Sequence, residues 1–437
     1  MDQQEYTRRR RELMNLMGEN AVAVLAAAPE RPRNRDVEHP YRQDSDFHYL
    51  TGFPEPEAVL VLIPGREQGE TILFCRERDP DKEVWDGPRA GQDGACERYG
   101  ADDAFPVDDI DDILPGMLEG KDRLYCTMGL NPDFDQAILG WVNQVRTRAR
   151  SGARAPGEFV ALEHPLHEMR LIKSLAELEQ MRAAAQVSAE AHRRAMGVCH
   201  PGMPEYALEA EFQYVFRRNN GWQAYPPIVG GGRNGCILHY IDNSATLQDG
   251  DLVLIDAGVE IDCYASDITR TFPVNGRFSA EQRAVYEIVL AAQEAAIAAV
   301  RPGNHWNMPH EAALRVLVQG LVDLGLLQGE VDALIEDEAY RPFFMHRTGH
   351  WLGMDVHDVG DYRIDGEWRL LEPGMVVTIE PGLYIADSIP QVDPRWRNIG
   401  VRIEDDVAVT ADGHDILSAG VPKTVADVEA AMAEGRT

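Results

Sequence analysis

The strongest constraint on how this chain folds is a weak internal repeat in its second half. Residues 249–258, DGDLVLIDAG, resemble residues 372–382, EPGMVVTIEPG, and aligning Gly250 with Gly374 places Asp256 on Glu380. Upstream of each stretch lies a helical pattern with matching ends. The first, over 175–199, opens at Ser174 with Glu177 at N3 and ends in His200-Pro201-Gly202. The second, over 280–300, opens at Ser279 with Gln282 at N3 and ends in Arg301-Pro302-Gly303. Both starts read as capping boxes, and another helical segment follows each. The pattern predicts two similar α/β halves, each giving one acid to a shared centre.

The acids themselves are out of place. In DLVLIDAGVEIDCYASDITRT, residues 251–271, Asp256 and Asp267 break an apolar run that reads as a hairpin. A turn centred between Ile261 and Asp262 would set Asp256 directly opposite Asp267, and like charges so close destabilise a sheet unless something positive lies between them. From this stretch alone, the plainer reading is favoured: one aspartate in a turn and the other exposed on a strand. Glu380 ends the run MVVTI and Glu404 ends GVRI, so four acids interrupt buried-strand patterns. Buried carboxylates are costly unless paired or metal-bound, and two divalent ions would neutralise four of them.

The segment HRTGHWLGMDVHD adds His346, His350 and His357, and NGCILHY adds His239. His350 is the ligand candidate; the other three suit proton transfer or carbonyl polarisation. An oxygen-rich donor set with one imidazole suits manganese better than zinc alone. The zincin helix is excluded, because Arg347 stands where that motif needs glutamate. GGGRNG at 230–235 satisfies GxGxxG, but the following CILHY reads as a strand rather than a phosphate-capping helix, which excludes dinucleotide binding. Neither Ser45 nor Ser266 has a GxSxG context, so a serine hydrolase is not supported.

At 437 residues the chain is long enough for more than one domain. Strand-like runs AVAVLAA, AVLVLI, TILFC and RLYC alternate with acidic loops up to about Leu162, predicting an α/β N-terminal domain over 1–171 and a catalytic domain over 172–437. The net charge of -31 argues against a nucleic-acid partner. Six scattered cysteines, with no paired motif, fit a reducing cytoplasm. The absence of an apolar run long enough to span a bilayer predicts no membrane partner.

With these residues in view, the chain resembles the pita-bread metallopeptidases, within them the aminopeptidase P family. The resemblance is carried in order by YRQDSDFHYLTGF (41–53), HEMRLIKS (167–174), NGCILHY, DLVLIDAG, SDITRTFPVNG, HWLGMDVHDVG, IEPGLYI and VRIEDD. It implies an α+β chain with a creatinase-like N-terminal domain and a pseudo-twofold catalytic domain holding two Mn2+ ions. Asp256 would bind one ion, Asp267 and Glu404 would bridge both, and His350 and Glu380 would bind the other. His239, His346 and His357 match active-site histidines that do not bind metal, and Tyr384 and Arg402 match supporting residues. Arg347 and Gly349 depart from the family, which commonly has a small or neutral residue and a serine there.

The implied activity is hydrolysis of the bond between an N-terminal residue and a following proline, by a water acidified between the ions. Glu380 would accept the proton, and His357 or His239 would face the oxyanion. The alternatives are an Xaa-Pro dipeptidase, an organophosphate-hydrolysing relative, or a pita-bread binding protein, the last disfavoured by the full ligand set. Related bacterial proteins assemble as dimers of dimers. A homo-oligomer is therefore expected, with Trp85 either a contributor to that assembly or a satellite-core residue.

Overall fold

Two consecutive residues with left-handed backbone set the register of the hairpin that carries the aspartates. In this computed structural model, which describes residues 1–435, Asp262 and Cys263 have φ of 50° and 64°. They form the two-residue primed turn that matches strand twist, flanked by the pair Ile261 and Tyr264. The turn therefore lies one residue later than the sequence reading placed it. Asp256 pairs with Thr269, not with Asp267. Because strand side chains alternate, this shift moves Asp267 to the diagonal position and keeps it on the face of Asp256.

The chain divides into two compact units, Met1–Arg170 and Leu171–Thr437. The first is built on a six-stranded sheet in the order Asp103–Pro106, Thr71–Cys75, Val59–Leu62, Ala21–Ala26, Arg123–Cys126, Glu158–Ala161. Both parallel and antiparallel pairs occur in it. Apolar residues such as Val22, Val61, Phe74 and Leu124 are buried against Leu114, Trp141 and Val145 of two helices. Trp85 is not part of such a core. It lies on the short helix Pro80–Asp86 and is 85% exposed, which overturns the satellite-core reading.

In the second unit the repeat takes physical form. Helices Leu175–Val198 and Ala280–Ala299 both begin with a complete capping box, Ser174 with Glu177 and Ser279 with Gln282. Helices Glu205–Arg218 and Met308–Asp323 follow. Each half then supplies a hairpin: Leu252–Asp256 with Thr269–Pro273, and Val376–Ile379 with Asp405–Val409. The segment CILHY, expected as a strand, instead continues the 3-10 turn Gly232–Cys236, because Gly235 must pass against the backbone of Gly400, whose Cβ would lie 2.2 Å from the Gly235 carbonyl oxygen.

The halves are locked by buried polar contacts. Thr271 Oγ1 donates to the Arg402 carbonyl and accepts from the Arg402 N–H. The fully buried Arg270 pairs with Asp405 at 2.7 Å, and Lys423 reaches the other Asp405 oxygen at 2.8 Å. Against the burial that opposes charge, these cations hold the Asp405 carboxyl at about 2. Removing one partner of such a pair typically costs about 3–5 kcal/mol.

Gly258 permits the hairpin to close: a Cβ there would lie 1.7 Å from the Ser266 carbonyl oxygen. Gly258→Ala is therefore expected to destabilise the fold by at least about 1–3 kcal/mol and to displace Asp267. Thermal unfolding and metal titration would read both effects, and an unchanged melting temperature would contradict this account.

Candidate metal centre and active site

Four strand ends and one loop converge on a cavity of about 610 Å³ lined by Asp256, Asp267, His350, Glu380 and Glu404. Asp256 ends its strand, while Glu380 and Glu404 lie one residue beyond Ile379 and two beyond Arg402. His350 is brought in by main-chain pairing. The segment around it runs beside Val376–Ile379, with Thr378 N donating to the His350 carbonyl and Glu380 N to the Thr348 carbonyl. Gly349 makes that approach possible, since a Cβ there would lie 1.9 Å from the Thr378 carbonyl oxygen.

Ligand atoms of Asp267, His350 and Glu404 lie within 4.8 Å of one another. His350 Nε2 is 3.3 Å from Asp267 Oδ2 and 3.7 Å from Glu380 Oε1. Its Nδ1 is 2.9 Å from the Trp351 carbonyl, which only accepts, so Nδ1 carries hydrogen and Nε2 is directed at the acids. Asp256 is bound at 2.6 Å by Arg402, and Thr269 Oγ1 donates to Glu404 Oε2 at 2.6 Å.

This packing of like charges shifts the acids in different directions. Burial, reinforced by Asp267, Glu380 and Asp256, pushes Glu404 well above the carboxylate range. Burial raises Glu380 to about 7, against the pull of His350 and Arg402, and raises Asp256 despite Arg402. Asp267 goes the other way: its burial is outweighed by the hydrogen bond and charge of His350. His350 is correspondingly raised to about 9, the burial that opposes its charge being overcome by Asp267 and Glu380. A hard, oxygen-rich set of four carboxylates with one oriented imidazole fits divalent cations, which would replace the protons these groups otherwise hold.

The three further histidines differ in a way their sequence did not reveal. His346 has both ring nitrogens engaged: Nδ1 at 2.7 Å from the Arg347 carbonyl and Nε2 at 2.8 Å from the Tyr384 hydroxyl. Arg402 donates to that same hydroxyl at 3.1 Å. Burial, together with Arg402, lowers His346 to about 3, so it is neutral. His239 and His357 also line the cavity but make no hydrogen bond among the described residues. The His357 ring stands edge-on to His350 at 4.3 Å, and burial and that neighbour lower its pKa.

Two groups escaped sequence reasoning. Tyr225 contacts Asp256 at 2.6 Å and Asp267 at 2.5 Å through its hydroxyl, and burial between these acids raises it well above 10. Nothing in AYPPIV marks that phenol in advance. Asp406 accepts from the Asp267 N–H and, like Glu404 and Asp405, is almost fully buried. Three consecutive acids entering the apolar run DVAV were a usable signal.

Residues 179–411 match the family described as metallopeptidase family M24, and residues 6–125 match the aminopeptidase P N-terminal domain. The chain is 47% identical to Xaa-Pro aminopeptidase of Escherichia coli K12, over 100% of this chain and 99% of that protein. It superposes on aminopeptidase PepP of Pseudomonas aeruginosa with TM-score 0.99 and 63% identity, covering 100% and 99% of the two chains. With proline aminopeptidase P II of Yersinia pestis the TM-score is 0.96 at 50% identity, covering 99% and 100%.

Because His350, raised to about 9, and Glu380, raised to about 7, would have to give up protons to act as ligands, metal uptake near pH 7 is expected to release protons, and apparent affinity to rise from pH 5 to pH 8. Calorimetric titration with Mn2+ in buffers of different ionisation enthalpy measures the release. A buffer-independent heat would contradict the charge assignment.

Proposed function

Since the chain belongs to metallopeptidase family M24, we propose that Asp256, Asp267, His350, Glu380 and Glu404 hold two divalent ions, manganese in the cell. The protein is an Xaa-Pro aminopeptidase by activity, a metallo-exopeptidase acting on the peptide bond before proline. The observation that carries the site assignment is the convergence of these five side chains on one cavity. When bound, the ions would acidify the attacking water and polarise the scissile carbonyl.

The chain's own groups divide the remaining work. Glu380 takes the proton of the attacking water on its carboxylate. It returns that proton to the proline nitrogen as the C–N bond breaks. His239 and His357, which line the cavity, stabilise the negative charge that develops on the carbonyl oxygen. His346 is a positioning residue acting through Tyr384 and Arg402, the latter fixing Asp256. Tyr225, Pro226, Ile228 and Leu238 form an apolar wall against which a proline ring can be selected by shape.

Asp256→Asn, Asp267→Asn, His350→Ala, Glu380→Gln and Glu404→Gln are each expected to abolish activity with the fold retained by circular dichroism. Near wild-type turnover with full metal content in any two would sink the two-ion assignment. His239→Ala and His357→Ala should lower turnover by about 10²–10⁴ without releasing metal. If instead His357→Ala loses its ions and His350→Ala keeps them, ligand and proton carrier are exchanged. Chelation should stop cleavage of Arg-Pro-Pro and Ala-Pro, and Mn2+ restore it; cleavage of the dipeptide alone would favour a dipeptidase.

The assembly is part of the proposal. Trp85 and Val84 are 85% and 81% exposed on a short helix, which supports their burial against another copy in a dimer or tetramer. The unpaired cysteines support a cytoplasmic setting. Light scattering on the wild type and on Trp85→Glu should show an oligomer that the substitution weakens; a fully active wild-type monomer would remove the idea.

A further inference from the structure

Arg347 is anomalous in its surroundings. It lines the same cavity as the buried acids yet is itself exposed, so acids form the floor and a cation stands at the mouth. In a chain with 73 Asp and Glu against 42 Lys and Arg, it has no carboxylate partner among the described residues. Its contacts are neutral. Nη1 donates to Asn307 Oδ1 at 3.1 Å, and the guanidinium lies 5.7 Å from the centroid of the Trp368 ring. The Asn307 amide is itself turned by its Nδ2, which donates to Glu311 at 2.7 Å, so the oxygen presented to Arg347 is fixed. The result is an oriented guanidinium whose remaining N–H donors lack an anion.

We propose that Arg347 is a specificity-determining residue that binds a carboxylate on the proline-containing part of the substrate. The inference rests on the peptidase reading and extends it to substrate class. A peptide entering with its ammonium end toward the acidic floor carries its negative charge outward, toward the mouth where Arg347 stands. A planar guanidinium held by one neutral oxygen and an aromatic face remains able to form a paired contact with a carboxylate. The carboxylate can come from the C-terminus of a short peptide or from an acidic side chain after the proline of a longer one. Both offer the same chemistry.

The test compares matched substrates on the manganese-loaded full-length protein: a short Xaa-Pro-Leu peptide against its C-terminal amide, and a longer Xaa-Pro-Glu peptide against its Xaa-Pro-Gln counterpart. The wild type is expected to favour the carboxylate member of at least one pair by about tenfold in kcat/KM, as a charge-assisted hydrogen bond allows, with the difference in KM and shrinking as salt is raised. Preference in the first pair assigns the terminal carboxylate, and in the second pair the side chain. In Arg347→Met the ratio should fall toward one, and Arg347→Lys should restore part of it. Calorimetric binding of Pro-Leu against Pro-Leu amide reads the same discrimination without catalysis, so failure of the peptidase reading would appear as absent cleavage with this discrimination intact. No preference in the wild type, or the same ratio in Arg347→Met, would overturn the proposal.

Discussion

The second unit answers to one electrostatic problem: four carboxylates, those of Asp256, Asp267, Glu380 and Glu404, line a single cavity. Taking a single charge out of water costs several kcal/mol even after relaxation, and neighbouring like charges add to it. The protein's own cations offset only part of this. Arg402 serves Asp256, and His350 serves Asp267 and Glu380, but Glu404 receives a hydroxyl from Thr269 and remains pushed toward its neutral form. Glu404 is thus pushed toward its neutral form and His350 toward its charged form, shifts that a bound divalent cation would oppose.

Holding such a site in place requires a rigid frame, and the repeat supplies it. Each half contributes capped helices and an antiparallel strand pair, and the strand Thr269–Pro273 of the first half meets the second through reciprocal hydrogen bonds of Thr271 with Arg402 and the buried Arg270–Asp405 pair. Asp405 and Glu404 are sequence neighbours with opposite fates. Asp405 is held ionised by two cations, whereas Glu404 faces the acid cluster. One side chain secures the strand and the next presents a ligand. Gly349 plays a comparable part, its missing Cβ letting the His350 segment lie against the strand before Glu380.

The polar groups around the cluster sort by whether their hydrogen bonds are already spent. His346, Tyr384 and Arg402 form a closed chain ending on Asp256. His239 and His357 line the cavity with no hydrogen bond among the described residues, and Arg347 keeps most of its donors at the mouth. Groups of the first kind fix geometry. Those of the second kind are available to a substrate.

Much of this was legible in the sequence because burial of an acid is a local anomaly that one strand is enough to display. Asp256, Glu380 and Glu404 each terminate an apolar run, and the repeat relates Asp256 to Glu380 before any contact is known. The helix starts were equally plain, since a capping box is a contact between residues three apart. The hairpin register was not, because it turned on two left-handed residues, Asp262 and Cys263, whose side chains do not announce that conformation as Asn-Gly would. Tyr225 was hidden for another reason: a phenol in AYPPIV acquires meaning only from strands distant in the chain, whereas Asp406 belongs to a run of three acids that the sequence does display. The sequence by itself determined which acids interrupt apolar strand runs and that two similar halves would present them. The tertiary structure alone decided which histidines kept a nitrogen to offer and where Arg347 stood without an acid, because hydrogen-bond partners are assigned by packing across the chain and not by spacing along it.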